Sequence, residues 1–467
     1  MTKFNLLIDG QLVAGADTLP VINPATGEAF ADCPRADNAQ LEQAVAAARR
    51  AFPAWGAADH AVRHAALSKL ADAMEARFGE FAQVLTREQG KPLAQAQFEV
   101  GGAIAAFRHF GAQKLSPQTL VSEPNSLVIE QYAPLGVVAC ITPWNFPLIL
   151  LSIKVAVALS TGNTVIAKPA PTTPLTTLLL GECAATTLPP GVFNTLVDAN
   201  DLGAALSGHP HVAKISFTGS TATGRKVMAS AAPLLKRLTL ELGGNDAAII
   251  LDDVDLDDLA PKIFQAATYN AGQTCMAAKR IYVPRAMVGG LCDRLVAIAE
   301  ATVVGDGMDP TTQIGPIQNQ MQFEKLIDLS ADTKAAGKVL TGGAQLNRPG
   351  YFIQPMIARD LPESSRLVQE EQFGPLIPVL GYDSIDEAVA NANASEFGLA
   401  ATVWGTDLER ATAVAGRIET GTVWINKHLD LRFDVPFGGV KQSGIGREQG
   451  EVGMKEFVST RVVSLAR

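Results

Sequence analysis

The sequence predicts an α/β fold built from parallel sheets in two or three domains. Three observations carry this. Short apolar strand-like runs alternate with helix-length stretches from residue 137 onward. The alternation breaks at Gly243-Gly244 and then resumes. The chain has 467 residues, 47% of them hydrophobic, too many for one ordinary domain and ample for a large core.

The elements follow in order. Asp9-Gly10 marks the turn of a hairpin-like start. Residues 41–52 and 61–78 read as amphipathic helices, and apolar spacing places a third over roughly 95–115. A buried-strand run at 137–141 precedes a helix from Phe146, and a run at 165–167 precedes a helix over 176–187. Runs at 193–197, 215–217 and 238–240 continue the series. Strand, helix and strand at this spacing imply a parallel sheet covered by helices on both faces. After Gly243-Gly244 come a strand at 247–251, a helix to about Asn270, and strands at 281–283, 377–380 and 402–404. A domain boundary is expected near Gly243. Residues 126–132 alternate like an edge strand, and 457–466 are β-rich. Such edges either pair with another chain or are capped by loops.

Charged residues are 18% of the chain and the formal net charge is -9, which argues against nucleic acid and anionic membranes as partners. The most apolar run, 146–159, is too short to span a bilayer and carries Lys154. The N-terminus lacks a signal-peptide pattern. Five widely spaced cysteines in so long a chain are not a disulfide framework, and no zinc-like set of Cys and His is present. A soluble, reducing, cytoplasmic setting is expected, with no metal site.

Cys275, in Gly272-Gln273-Thr274-Cys275, is the first candidate for chemistry. A lone cysteine is usually a small core residue. Here a loop signal precedes it, and Thr274 reads as an N-cap for a short turn that would stabilise a thiolate. Glu241 ends a strand before Gly243-Gly244, where parallel strands face a ligand crevice and a carboxylate can act as general base. A solvated glutamate at a domain junction is the plainer reading. Asn145, before Phe146-Pro147, reads as a helix N-cap whose NH2 stays free to donate to an oxyanion. Lys154 lies on a nearly wholly apolar helix, either snorkelling or in a proton path. Gly219-Ser220-Thr221-Ala222-Thr223-Gly224-Arg225-Lys226 resembles a P-loop but lacks its lysine and the following Ser/Thr, so an NTPase is rejected. It still follows a strand and opens a helix, which suits a pyrophosphate. Lys168 ends a strand at the same crevice. Glu371 and Phe373, two apart, would share one side of an extended segment, a carboxylate beside an aromatic wall, unless they form a surface turn.

Together these phrases resemble the NAD(P)-dependent aldehyde dehydrogenase superfamily, of the hydrolytic, acid-forming type. The phrases Glu241-Leu242-Gly243-Gly244-Asn245, Pro143-Trp144-Asn145-Phe146-Pro147 and Pro436-Phe437-Gly438-Gly439 match, and the likeness runs from about Asn23 to the C-terminus. The resemblance implies a Rossmann-like cofactor domain (1–115 and 135–243), an α/β catalytic domain (244–442) and a small β oligomerisation flap (116–134 and 454–467). It implies a homodimer or homotetramer acting on a small-molecule aldehyde. Carried over residue by residue, Cys275 is similar to the nucleophile, Glu241 to the general base and Asn145 to the oxyanion donor. Lys154 and Glu448 resemble a proton-relay pair. Thr142, Trp144, Lys168, Gly219, Ser220, Gly224, Glu371 and Phe373 match cofactor contacts. Many relatives hold a glutamate three residues after the lysine matching Lys168, where this chain has Pro171. NAD is the expected cofactor, and NADP stays open. The aldehyde tunnel would include Phe146, Ile149, Leu150, Ile153, Thr274, Met276, Leu429 and Leu431, a lining that favours uncharged aliphatic or aromatic aldehydes. Arg432 offers the alternative of a semialdehyde carboxylate clamp. A CoA-acylating semialdehyde dehydrogenase and a non-catalytic binding or structural protein are the rival classes, both disfavoured by the intact Cys275, Glu241 and Asn145.

Overall fold

The computed structural model describes residues 4–466. Residues 1–3 and Arg467, at the ends of the segments expected from sequence, lie outside the described residues. Four helices pack beside the first sheet: Asn38–Ala57, His60–Glu75, Phe78–Gln89 and Leu93–Ala112. Asp37 caps the first by accepting from the Gln40 N–H. The helix expected over 61–78 is therefore cut at Glu75, and a separate helix runs from Phe78 to Gln89. Arg77, at the break, pairs with Glu80 and with Glu182 of a distant helix.

The first sheet has six strands in the order 444–445, 237–241, 212–218, 137–141, 164–168 and 193–195. Apart from the antiparallel Gly444–Ile445 strand, neighbours are parallel. Numbered along the chain, the parallel strands lie 5-4-1-2-3, the Rossmann order without its sixth strand, with the switch point between 137–141 and 212–218. Every residue of Val137–Ile141 and Thr164–Lys168 is buried, as a sheet covered on both faces requires. Register sets the carboxyl ends level: Ile141 lies opposite both Lys168 and Phe217, and Thr218 lies opposite Glu241. These ends form a ledge of residues from separate strands.

The second sheet has seven strands in the order 338–341, 356–359, 376–382, 280–284, 247–250, 400–404 and 422–425. All pair in parallel except Lys338–Thr341, which is antiparallel at one edge. The segment leaving Glu241 enters this sheet at Ala247, and the loop bearing Cys275 enters it at Arg280. The carboxyl ledge of the first sheet thus faces the amino ends of two central strands of the second.

A third sheet stands apart. Ser126–Pro134 is its middle strand, not the edge strand the alternation suggested. Gln118–Glu123 pairs on one side, and Val458–Ala466 pairs on the other from Val458–Pro134 to Ala466–Ser126. The covering strand arrives from the far end of the chain, so a local reading of 126–132 cannot reveal it.

Candidate active site

Cys275 sits on a loop bent by three consecutive left-handed residues, Asn270 (φ 55), Ala271 (φ 56) and Gly272 (φ 72). Backbone strain of this kind is held only where the surroundings over-determine it. Gly272 is needed for space as well, since a Cβ there would lie 2.4 Å from the Gly374 carbonyl oxygen. The bend is tied down by side-chain amides. Gln273 donates to Asn270 O at 2.9 Å and accepts from the Gln318 N–H at 2.8 Å. Thr274 Oγ1 donates to Tyr269 O at 3.1 Å. The short turn expected at Cys275 is present, closed by the Ala277 N–H donating to Thr274 O at 3.1 Å, but the Thr274 side chain does not cap it and no helix begins there. The expected helix-terminus stabilisation of a thiolate is absent from this geometry.

Asn145 also departs from expectation. The Pro147–Ser160 helix is capped from another helix: Glu99 accepts from the Leu148 and Ile149 N–H groups at 3.0 and 3.2 Å. Glu99 in turn forms a buried ion pair with Lys91, whose ammonium also donates to Asn145 O at 2.9 Å. Freed from capping, Asn145 reaches across to the cysteine loop, and its Nδ2 donates to Gln273 O at 3.0 Å. An amide NH2 carries two donors, so one hydrogen remains to give.

Glu241 is 3% exposed, and neither carboxylate oxygen has a nitrogen or oxygen hydrogen-bond partner among the described residues. Buried carboxylates are nearly always satisfied, so this is an exception that calls for a cause. Burial first, and then the charge of Glu448, push its pKa up to about 8, against the pull of Lys154 and of the Cys275 thiol. The Cys275 thiol is likewise raised well above its ordinary value by burial and by Glu241. Lys279 opposes this and donates to Cys275 O. Lys154, 1% exposed, makes a buried ion pair with Glu448. The cluster therefore holds a thiol, a protonated carboxyl, a half-free amide donor and a buried ion pair, which suits covalent attack on a carbonyl followed by base-assisted release.

The remaining crevice residues fall into two groups. On the ledge, the Thr142 N–H donates to Lys168 O at 3.1 Å, and the Thr142 hydroxyl is buried without a partner. Lys168 pairs with Asp198 at 2.5 Å. The Gly219 N–H donates to Glu241 O at 3.1 Å, and Ser220 caps the Thr221–Ala231 helix, whose first turn contains Gly224. Glu371 accepts from the Gly244 N–H at 3.0 Å, with Lys279 at 3.5 Å. Gly244 is required there, because a Cβ would lie 2.7 Å from Cys275 O. Phe373 is left-handed (φ 54), so 371–373 is not the extended segment expected; its ring meets Trp144 edge-on at 5.3 Å.

On the other side, Phe146 stacks on Tyr269 at 6.2 Å, and Ile153 is buried. Ile149 and Leu150 are half-buried on the same helix. His428, held neutral because burial lowers its pKa to about 4, donates from Nε2 to Met276 O at 2.7 Å and ties the 426–432 loop to the cysteine loop. That loop carries Leu429 and the exposed Leu431. Arg432, in the same loop, is exposed, and its guanidinium is occupied by Asp434 through bonds of 3.0 and 2.8 Å.

Residues 12–463 match the model of the aldehyde dehydrogenase family. This chain belongs to that family. It is similar to an aldehyde dehydrogenase of a Fusarium species, 40% identical over 99% of each chain. It is also similar to human retinal dehydrogenase 2, 39% identical over 99% of this chain and 92% of that one. Among solved structures, an NAD+ complex of aldehyde dehydrogenase from Bacillus cereus matches with a TM-score of 0.97 and 35% identity, covering 100% of this chain and 97% of that one. An NAD+ complex of betaine aldehyde dehydrogenase from Staphylococcus aureus matches with a TM-score of 0.95 and 33% identity, covering 98% and 94%.

The protein is an NAD(P)-dependent aldehyde dehydrogenase, an oxidoreductase with the Rossmann-like and catalytic α/β sheets of that fold and a β oligomerisation region. The crevice fits the dinucleotide: the ledge offers a Thr142 hydroxyl without a partner among the described residues and a helix N-terminus at Ser220, and the second sheet's side offers the half-buried carboxylate of Glu371. Sequence reading missed Lys91, Glu99, Asp198 and Lys279 in this dehydrogenase. One signal was available for Lys279. Two cations, Lys279-Arg280, lead directly into an apolar strand run, a pattern that only buried partners can support.

Proposed function

We propose that this dehydrogenase oxidises uncharged aliphatic or aromatic aldehydes to carboxylic acids, using water and preferring NAD+. The observation that carries the mechanism is the buried Glu241 carboxyl, which has no nitrogen or oxygen partner among the described residues and interacts with the Cys275 thiol. A structural glutamate would be hydrogen-bonded, whereas a base kept for water need not be.

Cys275 adds as the thiolate, its proton released to solvent, to the aldehyde carbon, giving a thiohemiacetal oxyanion. The free Asn145 N–H and the Cys275 backbone N–H donate to the oxyanion, each such donor contributing about 3 kcal/mol to the transition state. NAD(P)+, when bound, would supply the hydride acceptor, and Cys275 would then carry the acyl group as a thioester. The proton held by Glu241 leaves through the Lys154–Glu448 pair. Glu241 then takes a proton from water; the resulting hydroxide adds to the thioester, the C–S bond breaks, and acid and thiol are released. Thr142, Trp144, Lys168, Gly219, Ser220, Gly224, Glu371 and Phe373 hold the dinucleotide. The aldehyde is lined by Phe146, Ile149, Leu150, Ile153, Thr274, Met276, Leu429 and Leu431.

The ion pair of Arg432 with Asp434 favours uncharged substrates over semialdehydes, because the guanidinium would have to leave one carboxylate to bind another. NADH formation with hexanal, benzaldehyde and succinic semialdehyde tests this. Higher kcat/KM for the uncharged pair is expected, with Arg432→Ala leaving semialdehyde turnover unchanged. A clear preference for the semialdehyde that Arg432→Ala removes would refute the reading. The third sheet, with Leu120, Val462 and Leu465 exposed on its outer strands, supports a homodimer or homotetramer, which light scattering would measure. A cytoplasmic location fits the five unpaired cysteines. Among the described residues no helix is long and apolar enough to cross a membrane.

A further inference from the structure

Lys168 is the last residue of the second parallel strand in the Rossmann sheet. In this architecture the adenosine ribose is read near that strand end. A carboxylate there accepts from the 2′-hydroxyl, and a free cation there accommodates a 2′-phosphate. Lys168 alone would predict the second case. It is not alone. Asp198, just beyond the third strand, is 0% exposed and lies 2.5 Å from the Lys168 ammonium. Its other oxygen accepts from the Leu202 N–H at 2.8 Å, which fixes the carboxylate in place. Pro171, three residues after Lys168, brings no charge of its own.

A second cation near Asp198, Arg35, is paired too. The Ala36 N–H donates to Val197 O at 2.7 Å, which brings Arg35 alongside Asp198. Arg35 is engaged by Asp201 at 2.7 Å and Asp17 at 3.5 Å. Two cations therefore face three carboxylates around this strand end. A 2′-phosphate carries close to two negative charges and would enter a site whose cations are already matched. A ribose hydroxyl asks only for a donor, and the Lys168 ammonium has further N–H groups to give.

We propose that Asp198, by neutralising Lys168, makes this dehydrogenase discriminate against the 2′-phosphate of NADP+. The inference rests on the reading that the first sheet holds the dinucleotide.

The test is calorimetric binding of NAD+ and NADP+ to the full-length enzyme without aldehyde, so that the readout is affinity and not turnover. Wild type should bind NAD+ at least about tenfold more tightly. Asp198→Asn should shrink that ratio about tenfold or more, through tighter NADP+ binding, as expected when one buried charge is removed beside a phosphate. A general loss of structure would weaken both nucleotides together and leave the ratio where it was. Should Asp198→Asn not fold, the wild-type ratio still decides, because equal affinity for the two nucleotides overturns the proposal. A ratio unchanged in a folded Asp198→Asn enzyme overturns it while leaving the cofactor site intact. Failure of wild type to bind either nucleotide overturns the cofactor site and the proposal with it.

Discussion

Turnover in this enzyme should rise with pH because Glu241 must be ionised to accept a proton from water. Burial and the neighbouring Glu448 hold its pKa at about 8. For a single group at about 8, the ionised fraction is about one eleventh at about pH 7 and about ten elevenths at about pH 9. If hydrolysis of the thioester limits turnover, the steady-state rate should climb about tenfold across that interval. Glu241→Gln removes the base. Rapid mixing with NAD+ and an uncharged aldehyde should still give a burst of NADH near one per active site, followed by a steady phase reduced about 10²-fold or more and nearly flat with pH. The same substitution has a stability signature of defined sign. Between the ordinary carboxyl value of 4.5 and about 8 the folded protein keeps a proton that the unfolded chain has released. Wild-type stability therefore falls as pH rises through that window, and Glu241→Gln should lose less stability over the same range. A flat wild-type profile, or a Glu241→Gln enzyme with normal steady turnover, would refute the reasoning.

Three further expectations follow from neighbouring contacts. Glu448→Gln removes the charge that most raises Glu241 after burial and leaves the Lys154 cation in place, so the midpoint of the pH–rate profile should move to lower pH whatever happens to its height; a midpoint that stays or rises would contradict this. Asn145→Ala should lower kcat about 10²- to 10³-fold while NAD+ affinity measured by calorimetry stays within a few-fold, and a loss confined to cofactor affinity would remove Asn145 from the oxyanion role. Glu99→Ala strips the cap of the Pro147–Ser160 helix and leaves Lys91 buried without its partner, which should cost about 3–5 kcal/mol in denaturant unfolding; a cost under about 1 kcal/mol would show that the pair is not structurally important.

The architecture was legible because its signals are local. Fully apolar runs at 137–141 and 165–167 declare strands buried on both faces, and the intervening helices force parallel pairing. Glu241 could be placed at a crevice because it ends such a strand. What stayed hidden depends on residues distant in sequence. The cap of the Pro147–Ser160 helix comes from Glu99, which turns Asn145 from an expected cap into a donor to the cysteine loop. The loop before Cys275 was legible and the short turn expected at Cys275 is present, closed by the Ala277 N–H donating to Thr274 O at 3.1 Å, but the left-handed backbone of Asn270 and Ala271 and the engagement of the Thr274 hydroxyl by Tyr269 O had no local signal. Asp198 followed an apolar run and gave no sign that Lys168 lay beside it.

The account stands on Cys275 carrying the acyl group and Glu241 releasing it. The most direct measurement is intact-protein and peptide mass spectrometry of Glu241→Gln quenched after mixing with NAD+ and hexanal. A hexanoyl adduct on the Cys275 peptide, absent without NAD+ and absent from Cys275→Ala, is the predicted result. An adduct on Cys33, Cys140, Cys183 or Cys292, or full turnover by Cys275→Ala, would contradict it.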